Sequence, residues 1–147
     1  GDGYKAMAVL AHTAFGMPLI YGGQEAELNK RLAFFEKDTI DWTEIPLERF
    51  YTTLNQLKQD NEALWSGIYG AKLQRINTNN NNVFAFIRQK NDNQVMVIIN
   101  LTPESQRVTL DEEAPKGRYS NAFGGELELA GEALELEPWG YFVLTNK

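Results

Sequence analysis

Apolar residues change their spacing near residue 67. Ahead of that point Met7, Leu10 and Ala11 recur at helical intervals, and so do Ala8, Ala11 and Phe15. They predict a well-buried helix over residues 4–15, and Gly16 suits its stop, where a positive φ is needed. Met17, Pro18, Leu19, Ile20 and Tyr21 then form a short, continuously apolar run bounded by Gly16 on one side and Gly22 and Gly23 on the other. A run of this kind predicts a strand covered on both faces, with Pro18 at its first position. Residues 22–46 form a long polar and aromatic connection, a length that goes with function or with a partner surface. Beyond it Leu47, Phe50, Leu54 and Leu57 share one helical face and Pro46 suits a first turn, so a second helix is expected over 47–61.

After Gly67 the period drops to two. Val83, Ala85 and Ile87 alternate with Phe84, Phe86 and Arg88, while Val95 to Ile99 is an unbroken apolar run. Strands are expected over 71–77, 83–90 and 94–101, with Asn91, Asp92 and Asn93 as a hairpin turn. Further short strands fit near 106–110, 117–121, 126–129, 133–136 and 140–145, a spacing that argues for an antiparallel sandwich. Leu127, Leu129, Leu134 and Leu136 alternate with glutamates, which predicts a half-buried sheet with an acidic outer face.

The chain therefore divides into two unlike units, 1–66 and 67–147, and its class is α+β. A helix followed by a buried strand is half of an αβ repeat, which belongs in a parallel sheet or barrel. One strand cannot close a sheet, so its neighbours are expected from upstream sequence or from another chain. The second unit is expected to fold independently. The opening residues Gly1, Asp2, Gly3 and Tyr4 lead straight into the helical pattern, which suggests further sequence upstream.

Composition narrows the function classes. Hydrophobic residues make up 43% of the 147, enough for a core. A net charge of −6 without a basic cluster speaks against nucleic acid and against an anionic membrane surface as partners. With no Cys and one His, a thiolate site, a disulfide framework and a multi-His metal centre are all excluded. No apolar run approaches the ~18–20 residues that span a bilayer.

Residues 16–25, GMPLIYGGQE, resemble the segment that forms the eighth barrel strand of the α-amylase family, glycoside hydrolase family 13. Residues 31–42, RLAFFEKDTIDW, resemble that family's Arg-containing loop ending in Trp, and the aromatic strand at Trp139, Tyr141 and Phe142 resembles the close of its tail domain. The resemblance implies that 1–66 is the end of a (β/α)8 catalytic barrel (helix, eighth strand, loop, last helix) and 67–147 the C-terminal β-sandwich. It also implies a parent enzyme that cleaves or transfers α-glucosidic linkages in starch-like glucans by a retaining mechanism. The family's nucleophile, acid/base and transition-state-stabilising carboxylates sit on earlier strands, the last in an Asn-His-Asp motif that is absent here. His12 is followed by Thr13, inside a helix. The chain alone is expected to be inactive, with no catalytic residue, no metal and no cofactor of its own, and α-glucan or maltooligosaccharide is the ligand of the parent.

Four residues are candidates for the substrate cleft or barrel rim. Gln24 and Glu25 fall where the resemblance places a strand's C-terminal end, and in a barrel that end faces the active site. Glu25 can equally brace the rim by an ion pair or hydrogen bond. Tyr21, with Phe34, Phe35 and Trp42, offers flat apolar area for a sugar face, although Trp42 also suits packing against the second helix. Arg31 has the fork to pair with a carboxylate of the missing barrel. His12 reads as a helix-packing residue, and the aromatics of the tail as core or joint more than as a sugar platform. A stand-alone carbohydrate-binding or structural β-sandwich module is the alternative. Unpaired edges and apolar stripes in residues 1–65 further predict self-association through that segment.

Overall fold

A computed structural model describes residues 1–146. Two helices, α1 (Tyr4–Thr13) and α2 (Glu48–Asp60), precede eight strands. These are β1 (Leu73–Ile76), β2 (Val83–Lys90), β3 (Asn93–Asn100), β4 (Gln106–Val108), β5 (Gly117–Asn121), β6 (Glu126–Leu129), β7 (Leu134–Leu136) and β8 (Tyr141–Thr145). Six of them form one antiparallel sheet in the order β1-β2-β3-β8-β5-β6, and β4 pairs with β7 in a second. The positions follow the period-two pattern closely, because each strand has a partner that makes its alternation meaningful.

The centre of the large sheet, β2, β3 and β8, is buried on both faces. In register, Phe86 lies opposite Val97, which lies opposite Val143. With Val95 and Ile99 these side chains meet Ala6 and Val9 of α1 and Tyr51, Leu54 and Leu57 of α2. One residue along, Ala85 lies opposite Ile98, which lies opposite Phe142. That face, with Met96 and Leu144, packs on Val108 and Leu136 of the small sheet. The molecule is thus three layers: helices, six-stranded sheet, two-stranded sheet. Double burial explains why β3 reads as an unbroken apolar run. On the outer face of the small sheet and of β6, Glu135 pairs with Arg107 and Glu126 with Arg118, which makes the acidic face a solvated one.

Two expectations change. Residues 17–21 do not form a strand: the run is extended, pairs with no strand, and leaves Met17 83% and Leu19 82% exposed. A strand requires neighbouring backbones to complete its hydrogen bonds, and among the described residues no strand lies beside this run. Helix α1 also stops at Thr13, two residues early, with Ala14 already extended. Phe15 then points outward, 57% exposed. The independence expected of 67–147 meets a further fact, since one face of its main sheet packs on α1, α2 and Leu64, all from the first unit.

Candidate functional site

The predicted rim residues sit on the turn after the extended run. Tyr21 and Gln24 come together through two bonds: the Tyr21 N–H donates to Gln24 Oε1 at 2.7 Å, and the Gln24 N–H to the Tyr21 carbonyl at 3.0 Å. Gly23 makes the turn possible. Its φ is 93°, and a Cβ there would stand 2.9 Å from Leu28, so only glycine fits both the conformation and the space. Residues 24–26 continue as one 3-10 turn.

Glu25 is held through its backbone. Its carbonyl accepts from the Leu47 N–H at 3.0 Å, which ties the turn to the start of α2. Its Oε2 is buried without a partner. The side chain faces α2, where burial first and the Glu25 charge second push the Tyr51 phenol above its ordinary value. Beside it, Tyr4 donates to Glu27 Oε1 at 2.7 Å, and this bond pushes the Tyr4 phenol up to about 12. The turn is thereby fastened to both helices, while Arg31 stands apart, exposed and without a partner among the described residues.

His12 packs as expected. It is 2% exposed, 6.1 Å from the Tyr51 ring, with Nδ1 2.8 Å from the Ala8 carbonyl. Nδ1 facing a carbonyl assigns the proton to that nitrogen and leaves the buried Nε2 as an acceptor without a donor. Phe123 stacks on Phe50 and meets Tyr141 edge-on, so these tail aromatics fill the joint between α2 and the sheet. Trp42 remains 49% exposed, and Phe34 and Phe35 are 85% and 94% exposed. Their loop is stapled by Asp38, which accepts from Lys30 at 2.6 Å and from the Ala33 and Thr39 N–H groups. These bonds, Lys30 foremost, hold its carboxyl down at about 2.

Sequence reasoning missed the residue that joins the two units. Arg88 is fully buried and donates to five carbonyls: Ala71 from Nε, Thr13, Ala14 and Leu64 from Nη1, and Trp65 from Nη2. It closes the C-terminal end of α1, where carbonyls lack helical partners. Lys58 works alongside, donating to the Gly16 and Leu64 carbonyls, and desolvation followed by the charge of Arg88 lowers its pKa. Gly70 permits the approach, as a Cβ there would lie 1.8 Å from the Trp65 carbonyl oxygen. The signal was present in the alternation, which puts a charge on the same strand face as Phe84 and Phe86.

Among the described residues no three His, Cys, Asp or Glu side chains are grouped to hold a metal ion. No helix of the described residues is long and apolar enough to cross a membrane. One segment carries the apolar surface: every exposed large hydrophobic side chain of the described residues lies in the span 4–69.

Comparison with known proteins bears on both units. Residues 73–143 match the family described as the C-terminal domain of maltogenic amylase. None of the curated proteins matches the chain in sequence. Among solved structures, AmyB, a maltogenic α-amylase from Thermotoga neapolitana, shares the fold with a TM-score of 0.81 at 17% identity, over 98% of this chain and 36% of that one. An Anoxybacillus α-amylase follows at TM-score 0.70 and 23% identity, over 97% and 32%. AmyP in complex with maltose gives 0.72 and 18%, over 96% and 33%. The chain spans about a third of the length of these structures. Residues 73–143 thus match the C-terminal domain of maltogenic amylase, and the chain as a whole has the fold of the matching third of these α-amylase structures.

Proposed function

We propose that this chain is the non-catalytic end of an enzyme that cleaves or transfers α-glucosidic linkages in starch-like glucans by a retaining mechanism. Residues 1–66 complete its (β/α)8 barrel and residues 67–147 are the β-sandwich docked beside it. One observation carries the reading: all large exposed apolar side chains of the described residues lie in the span 4–69, around an extended run that no strand flanks. Such a surface is costly in water and suits a covering partner. The maltose bound to AmyP supports a maltooligosaccharide as the parent's ligand.

Retaining hydrolysis needs two carboxylates about 5–5.5 Å apart across the scissile bond. In this reading they stand on earlier barrel strands. Tyr21, Gln24, Glu25 and Arg31 shape the rim of the cleft, with the turn at residues 21–24 setting where the eighth strand ends. Without the earlier units, the same surface makes the chain associate with itself. The test joins the chain to a segment bearing the first seven β/α units of an α-amylase and measures turnover of an activated aryl α-maltoside. The joined protein is expected to turn over and neither part alone to do so. Turnover by this chain alone, abolished by Glu25→Gln, would overturn the reading.

A further inference from the structure

Residues 17–21 have no strand beside them, yet their side chains already alternate as a strand's do. Met17, Leu19 and Tyr21 are exposed, while Pro18 and Ile20 are half-buried and Ile20 packs on the core shared by the helices and the sheet. Alternation with a period of two belongs to a pleated backbone. Pairing does not enforce it here, since among the described residues no strand flanks the run. The Met17, Leu19 and Ile20 amides have no hydrogen-bond partner among the described residues either.

The groups that hold the run sit at its two ends. Glycines bound it, Gly16 with φ 136° and Gly23 with φ 93°. Glycine confines the backbone less than any other residue, so an unheld segment would swing about both ends. At the leading end, Arg88 Nη1 donates to the Thr13 carbonyl at 3.3 Å and to the Ala14 carbonyl at 2.9 Å. Lys58 Nζ and Ser66 Oγ each donate to the Gly16 carbonyl at 3.1 Å. Arg88 Nη2 also donates to the Trp65 carbonyl at 3.0 Å, which brings Ser66 to the same place. At the far end, Gln24 Oε1 accepts from the Tyr21 N–H at 2.7 Å, and the Leu47 N–H fixes the Glu25 carbonyl at 3.0 Å.

We infer that Arg88, Lys58 and Ser66 are positioning residues that hold 17–21 in strand form before any neighbour pairs with it. Arg88 lies on β2, so the β-sandwich itself sets where the run begins. Residues at about 3.3 Å each separate that beginning from the turn at Tyr21 and Gln24, so the clamp places the turn as well. In the parent enzyme this turn is the rim of the cleft, and the sandwich acts on substrate binding without touching substrate. The effect on the cleft rests on the functional reading above; the order of the run rests on the chain alone.

The test begins with the chain alone and measures backbone order parameters by amide relaxation. Met17 and Leu19 are expected at about 0.85, the value of rigid backbone, although their amides exchange freely with water. In Lys58→Met/Ser66→Ala, which frees the Gly16 carbonyl and keeps Arg88, they should fall below about 0.6. Val108→Ala, which opens a cavity in the opposite core, should leave them unchanged. Flexible values in the unaltered chain, order retained in the double variant, or an equal fall in Val108→Ala would overturn the inference. In the joined enzyme, the double variant should raise KM for the aryl α-maltoside at least about three-fold with kcat within about two-fold, and Val108→Ala should change neither. An unchanged KM, or the same rise in Val108→Ala, would overturn the effect on the cleft. A joined enzyme without turnover defeats the functional reading instead, and the order parameters of the chain alone still decide whether the clamp holds the run.

Discussion

Residues 17–21 and 95–99 are both five-residue apolar runs, and their fates are opposite. Val95 to Ile99 are all 0% exposed, with β2 on one side and β8 on the other. Met17 and Leu19 are more than four-fifths exposed, and no strand lies beside them. Composition does not separate the two. Neighbours do: a strand is completed by the backbones on either side, and a run without them stays extended and wet. The difference divides the chain into a part that satisfies itself and a part that offers surface.

Removing the helical part should have the largest effect. A chain reduced to 67–147 loses the cover on Phe86, Val95, Val97, Ile99 and Val143. It is expected to aggregate or melt without cooperativity by circular dichroism, and a sharp reversible melt would show that the helices are dispensable to the sheet. Point charges sharpen the same contrast. Val97→Asp places a carboxylate in the fully buried core and should cost about 4 kcal/mol or more in denaturant unfolding. Leu19→Asp should stay within about 0.5 kcal/mol and reduce self-association by light scattering. Comparable losses from both would erase the distinction.

The join between the two parts comes next. Arg88→Met keeps the apolar length of the side chain but strands carbonyls at the end of α1. We expect a loss of about 3 kcal/mol, with α1 amides exchanging faster than those of β3. Arg88→Lys should not rescue it, since a single ammonium cannot span the same set of carbonyls. The smallest effect is local. Asp38 has its carboxyl held at about 2 against the usual 3.8. A depressed folded value means that the loop staple is fully present above about pH 3.8 and is lost as pH falls through about 2. The Ala33 and Thr39 amide signals should move together over that window, and in Asp38→Asn they should not titrate.

The strands and α2 are legible in the sequence because their partners are in the same chain. Phe84, Phe86 and Arg88 have the right period, and the sheet that makes the period useful is present. Residues 17–21 carry an equally clear strand signal, yet no partner in this chain answers it. The sequence pattern puts Tyr21, Gln24 and Glu25 at the end of a strand, whereas the structure gathers them on a turn at Gly22 and Gly23. Arg31 is placed apart from them, because its contact is not encoded locally. Arg88 was hidden by its type, as a charged residue within an apolar strand reads as surface until the carbonyls that surround it are in view.

Hydrogen exchange at residues 17–21, read against 95–99, tests most directly whether this surface awaits the rest of a barrel. In the chain alone at dilution, amides at 95–99 should exchange only with global unfolding, and those at 17–21 at nearly unprotected rates. When the first seven β/α units are joined, the protection at 17–21 should rise toward that of 95–99. Strong protection at 17–21 in the dilute chain alone, or none in the joined protein, would contradict the claim.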